Sequence, residues 1–125
     1  MSILNAVMGN ASEVEVEEME KEFSQILIEE EKLVRVFKLV RDLFAFTDRR
    51  LIMVDKQGIS GRKTEYHSIP YKSITHFSFE TAGRIDLDAE MKVWISGNEL
   101  PVKKEFKKGI DVTDVQRTLA KFTLD

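Results

Sequence analysis

Few side chains in this sequence could do acid–base or nucleophilic work: His67, His76, Ser60 among glycines, and the run Tyr66-His67-Ser68. Gly58-Ile59-Ser60-Gly61 sets a serine near glycines without the spacing of a nucleophile elbow, and no phosphate-cradling glycine loop opens a helix. Successive residues of a strand point to opposite faces, so His67 and Ser68 diverge and cannot act as base and nucleophile. The two histidines fall on separate predicted strands across Pro70, with no carboxylate at a ligand-like helical spacing. Asp86, Asp88 and Glu90 share one strand face, but an EF-hand loop beginning at Asp86 needs Gly in its sixth place and Glu in its twelfth, where Met91 and Gly97 stand. These patterns predict no catalytic residue, no metal and no cofactor.

Recognition chemistry is better represented than reaction chemistry. Arg49 and Arg50, then Lys56, Arg62 and Lys63 around a glycine turn, could meet an anionic headgroup or an acidic protein. Lys103, Lys104, Lys107 and Lys108 form a second basic group near the last predicted strand. The plainer role of both groups is a solubilising loop and a charged edge that blocks stray strand pairing. Trp94, the only tryptophan, and Val34 and Val36 on the first strand complete the candidate binding or interface residues.

The elements that must position these residues follow from periodicity. Ile3, Leu4, Val7 and Met8 share one side of a first helical turn or two that stops at Gly9-Asn10. Ser12 and Glu15 then suit a capping box, and Val16, Met19, Phe23 and Ile26 follow at helical spacing. From Lys32 onward the period is two, and strands are expected near 32–40, 43–47, 50–56, 64–69, 73–80, 85–96 and 99–106, with Gly97-Asn98 as a two-residue hairpin turn. Ile85, Leu87, Ala89, Met91, Val93 and Ile95 make one face of the sixth strand the core face, which leaves Trp94 on the other. Asp111 suits an N-cap, Ile110 and Val115 a hydrophobic staple, and Val112, Val115, Leu119 and Phe122 the apolar stripe of a last helix. The fold class expected is mainly β: a barrel of seven antiparallel strands capped by a C-terminal helix. Residues 1–30 read as an N-terminal helical extension and 31–125 as the domain.

The stretches Thr47 to Gly58 (TDRRLIMVDKQG), Tyr66 to Ile74 (YHSIPYKSI), Phe77 to Gly83 (FSFETAG), Asp86 to Glu90, Lys92 to Gly97 and Lys104 to Phe106 resemble the bacterial pleckstrin-homology-like (PH-like) family. Agreement across so many separated blocks is far more specific than one short motif. The resemblance implies a PH-like fold preceded by short helices and assembled into ring-shaped homo-oligomers, with no established ligand. Strand composition points the same way: Leu33, Phe37 and Leu39 oppose Val34, Val36 and Val40, while Leu51 and Met53 oppose Ile52 and Val54. Strands apolar on both faces need cover on both sides, supplied either by the N-terminal helices or by a neighbouring subunit.

Charge and composition limit the partners. The sequence carries a net charge of −3, yet Glu13 to Glu31 holds nine glutamates against Lys21 alone, so the remainder is mildly basic. That pattern lacks the basic stripe of a nucleic-acid binder. The first-to-second strand loop, Val40-Arg41-Asp42, is too short and too poorly charged to hold a phosphoinositide headgroup, so the fold alone does not carry a lipid function. With no cysteine and no leader-like N-terminus, the chain reads as cytoplasmic. The leading expectation is a homo-oligomeric, non-catalytic module for a protein or peptide partner. Peripheral association with anionic membrane lipids is the alternative, and an enzyme with an unrecognised site a distant third.

Overall fold

The N-terminal segment meets the sheet through one glutamate that the sequence places in a run of acids. In the computed structural model, which describes residues 17, 19–38, 42–57, 63–81, 89–106 and 112–124, Glu31 is buried although Glu29 and Glu30 beside it are exposed. The described residues form seven strands: β1 Leu33–Lys38, β2 Leu43–Thr47, β3 Arg50–Gln57, β4 Lys63–Pro70, β5 Ile74–Thr81, β6 Ala89–Ile95 and β7 Val102–Phe106, followed by helix α1, Val112–Thr123. One antiparallel sheet has the order β1-β2-β3-β4 and the other β5-β6-β7. The contacts divide the chain into two units, Met1–Ser68 and Ile69–Asp125.

In the first unit the sheet is apolar on both faces, as its composition predicts. Phe37 and Phe46 meet edge to face at 5.8 Å on one side. On the other, Val36, Leu43, Ala45, Ile52 and Val54 are buried against Phe23, with Met19, Ile26 and Leu27 packed around them. Met19, Phe23 and Ile26 belong to the predicted helical stripe, whose Val16 lies outside the described residues, so the N-terminal segment supplies the second cover. Phe23 also meets Tyr66 edge to face at 6.2 Å. Val36 is therefore corrected from a candidate interface residue to a core residue. The reason is a bulge: a register shift between Leu33 and Arg35 inserts one residue, which turns Leu33 onto the same covered cluster as Val36 and leaves Val34 exposed.

The clamp that holds the segment in place is built on the β2–β3 turn. Arg50 donates to Glu31 Oε2 (2.9 Å) and Oε1 (3.0 Å), to the Ile26 carbonyl (2.7 Å) and to Ser68 Oγ (3.0 Å). Thr47 Oγ1 donates to Glu31 Oε2 at 2.7 Å while accepting from the N–H groups of Arg49 and Arg50. Asp48 Oδ1 accepts from the Lys32 N–H, and the Ile28 N–H reaches Glu31 Oε1. Glu30, at φ 75°, takes a left-handed conformation that costs about 1 kcal/mol for a residue with a Cβ, and the bonds on either side hold it there.

In the second unit the alternation of β6 is clean: Ala89, Met91 and Val93 are buried, whereas Glu90, Lys92 and Trp94 lie on the opposite face. Phe79 stacks with Phe106 from the neighbouring strands, on the buried side. The ladder places Val93 opposite Val102, the register that a turn centred on Gly97-Asn98 sets, and Gly97 takes φ 88° there. Pairing stops at Val93–Val102, short of that turn. Helix α1 buries Val115 and Leu119, and Phe122 stacks on Tyr71 at 4.8 Å. Its expected cap Asp111 lies outside the described residues, as do Ser12, Ile85 and Leu87.

Two stability measurements check this architecture. Leu119→Ala leaves a cavity under α1 and should cost about 2–5 kcal/mol in urea unfolding; an unchanged midpoint would mean that the helix is not docked. For the clamp, burial pushes the Glu31 carboxyl up, but hydrogen bonds from Arg50, Thr47 and the Ile28 N–H, with the Arg50 charge, outweigh it and hold the group below its ordinary value of 4.5. A depressed carboxyl stabilises the fold above its unfolded value and loses that contribution as pH falls through the folded one. Wild-type stability should thus drop as pH is lowered from about 4.5, more steeply than that of Glu31→Gln. Arg50→Met, which strands the buried carboxylate, should cost about 3–5 kcal/mol at neutral pH.

Candidate functional site

Of the basic residues singled out by type, the structure uses one internally and leaves others at the surface. Arg50 spends its guanidinium on Glu31, Ile26 and Ser68, so it is a structural residue and not a ligand contact. Neighbouring Arg49 is exposed, at the 4.0 Å limit of an ion pair with exposed Glu30, an arrangement worth little in water. Lys56 is half-buried near the end of β3, its backbone N–H bonded to Asp42 Oδ1, and Lys63 is exposed at the start of β4. Arg62 lies outside the described residues. No single basic pocket gathers these groups among the described residues.

A groove of about 500 Å³ runs beside the clamp, lined by Glu20, Ser24, Leu27, Ile28, Glu31, Lys32 and Leu33. Its volume falls in the range of small-ligand pockets, but its buried carboxylate, Glu31, is already paired with Arg50. Ile28, also in the lining, is 59 % exposed. Tyr66, close to Glu22, has its phenol pushed up by burial and by the Glu22 charge, which keeps it a neutral hydroxyl.

Trp94 lies off the core face as expected, and its cover comes from its own sheet. His76 stands opposite it on β5 and stacks at 4.3 Å with the rings 16° apart. Thr75 Oγ1 sits 3.0 Å from His76 Nδ1 and 3.3 Å from the Trp94 carbonyl, so the imidazole is oriented from its own strand. A pocket of about 260 Å³ adjoins the pair, lined by Ile74, Thr75, His76, Phe77, Thr123 and Leu124. Sequence reasoning weighed His76 only as a catalytic or metal residue and missed it as the cover of Trp94. Only the cross-strand register, which puts residues 18 apart side by side, could have found it. Of the acids Asp86, Asp88 and Glu90, the first two lie outside the described residues, and Glu90 pairs with Lys92 at 3.8 Å.

Among the described residues no helix is long and apolar enough to cross a membrane. The sequence matches the bacterial PH domain family over residues 2–123. It is 57 % identical to the uncharacterized protein YjqA of Bacillus subtilis (strain 168) over 96 % of this chain and 97 % of that one. It is 31 % identical to YozO of the same organism, also uncharacterized, over 81 % and 86 %. The fold is that of a pleckstrin homology domain from Shewanella amazonensis SB2B, with a TM-score of 0.88 and 53 % identity over 99 % of this chain and 100 % of that one. A pleckstrin-homology-domain protein from Shewanella loihica PV-4 superposes with a TM-score of 0.78 at 50 % identity, covering 87 % and 93 %. Seven strands in two antiparallel sheets, a C-terminal helix and a match over nearly its whole length together make this chain a member of the bacterial PH domain family.

Proposed function

We propose that this chain is a non-catalytic PH-like interaction module that assembles head to tail into a ring and offers a shared surface to a protein or peptide partner. The observation that supports it is uncovered apolar surface in two unlike places. After the N-terminal segment has covered its face of the first sheet, Ile28, which lines the groove of the first unit, remains at 59 % exposure, and Val34 on β1 at 39 %. Leu100, at 82 %, stands in the β6–β7 turn of the second unit. Two different patches that satisfy each other between copies form a heterologous contact, and repetition around an axis closes a ring. A ring multiplies weak contacts to a partner, so each copy needs only a modest site.

Light scattering of the purified protein should give a multiple of 14.4 kDa above a dimer. Ile28→Asp and Leu100→Asp should each yield smaller species with unchanged urea unfolding, since both side chains are exposed. Mixed together, the two variants should form one head-to-tail contact and propagate no further, because each retains only the half that the other lacks. A wild-type monomer at micromolar concentration would remove the reading altogether. The rival reading, attachment to anionic lipid through Lys56, Lys63 and their neighbours, requires salt-sensitive co-sedimentation with phosphatidylserine vesicles. We expect none at low salt; robust binding there would replace the protein partner with a membrane.

A further inference from the structure

The outward face of the second sheet is sorted into bands of charge. Register places Glu80 opposite Glu90 and Glu90 opposite Glu105, so three carboxylates lie abreast across β5, β6 and β7. One pleat along, Ser78 lies opposite Lys92 and Lys92 opposite Lys103. One pleat further stand His76 and Trp94. Like charges directly opposite one another on neighbouring strands destabilise a sheet, and alternating the signs within each row would have relieved both rows. The sequence instead segregates the signs by row. Within the chain, relief comes along the strand, where Lys92 reaches Glu90 at 3.8 Å.

We propose that this banded face is the docking surface for a second copy of the chain, apposed face to face about a two-fold axis. An axis lying in the interface, parallel to the rows and midway between them, exchanges the acidic row with the basic one. It sets Lys92 over Glu90 of the other copy, Lys103 over its Glu105 and Ser78 over its Glu80. One rotation therefore sets both lysines of each copy over glutamates of the other and leaves Glu80 facing a serine hydroxyl, and the same contacts recur on both sides of the axis, which is what an isologous contact requires. The eight outward side chains of this face would bury on the order of 1,000 Å² in total, the lower end for a specific interface, and the contact is correspondingly weak and labile to salt. It does not depend on the head-to-tail contact: without a ring it makes a dimer, and with one it stacks two rings and doubles the mass.

Sedimentation velocity from about 1 to 500 μM at low salt, set against 0.5 M NaCl, tests it on the wild-type chain. The mass should halve at high salt, and Lys92→Glu/Lys103→Glu should show the halved mass at low salt. Adding Glu80→Lys, Glu90→Lys and Glu105→Lys to that variant swaps the bands, and the same two-fold axis should restore the full mass. Carbodiimide coupling of mixed ¹⁵N-labelled and unlabelled wild-type chains provides a readout that needs no variant, with an isotopically mixed Lys103–Glu105 linkage as the expected product. A mass indifferent to salt, a charge-reversed variant of unchanged mass, or coupling confined to singly labelled products overturns the proposal. If the mass stays above a dimer but never halves, the ring survives and this face is not its partner surface.

Discussion

A single buried carboxylate decides whether the first sheet has two covered faces or one. Val36, Leu43, Ala45, Ile52 and Val54 would meet water if residues 19–31 left the sheet, and the apolar stripe of Met19, Phe23 and Ile26 alone is short for a helix held by packing. Glu31 makes the attachment specific. It is reached by Arg50 from β3, by Thr47 from β2 and by the N–H of Ile28 from its own loop, so the turn closing two strands also receives the incoming chain. Burying an ion pair is costly, and here the bonds from Arg50, Thr47 and the Ile28 N–H outweigh that cost and keep the carboxyl ionised. Asp48 donates its N–H to the Lys32 carbonyl and accepts the Lys32 N–H on Oδ1, which continues that attachment straight into β1.

How legible this was depends on the distance over which each feature is encoded. Periodicity along one element gave the burial of Leu119 and Val115, the N-terminal stripe and the outward position of Trp94, because a helix or strand that buries one face must repeat its apolar residues at the period of the element. Features set between elements were hidden. Arg49 and Arg50 are indistinguishable by type, and only the turn geometry sends the second inward to a glutamate 19 residues away. Val34 and Val36 look equivalent at a spacing of two until one bulge residue separates their surroundings. His76 became the cover of Trp94 through register alone. The candidate site was therefore legible as a set of exposed types, not as an arrangement.

The two sheets handle their outer faces by different physics. In the first, the outward residues of β2 and β3 are as apolar as the inward ones, so the face requires a permanent lid, and the chain carries its own. In the second, Phe77, Phe79, Met91 and Val93 turn to the inner side while Glu, Lys, Ser and one Trp–His stack remain outside. Such a face can stand in water, so any association it makes can be reversible. Obligate packing and optional contact are thus assigned to different sheets by composition.

That division bears on why a PH-like fold need not bring a PH-like ligand. Headgroup binding in this architecture depends on cations gathered on a roomy loop, whereas here Arg50 is withdrawn into the clamp, and among the described residues Lys56 and Lys63 stand near strand ends and Lys92 and Lys103 within strands. Lys92 and Lys103, placed abreast on a flat face, cannot converge on a single phosphate as a loop can, because strand spacing holds neighbouring side chains about 5 Å apart and parallel. Parallel charges on a flat surface match another flat surface with the opposite banding.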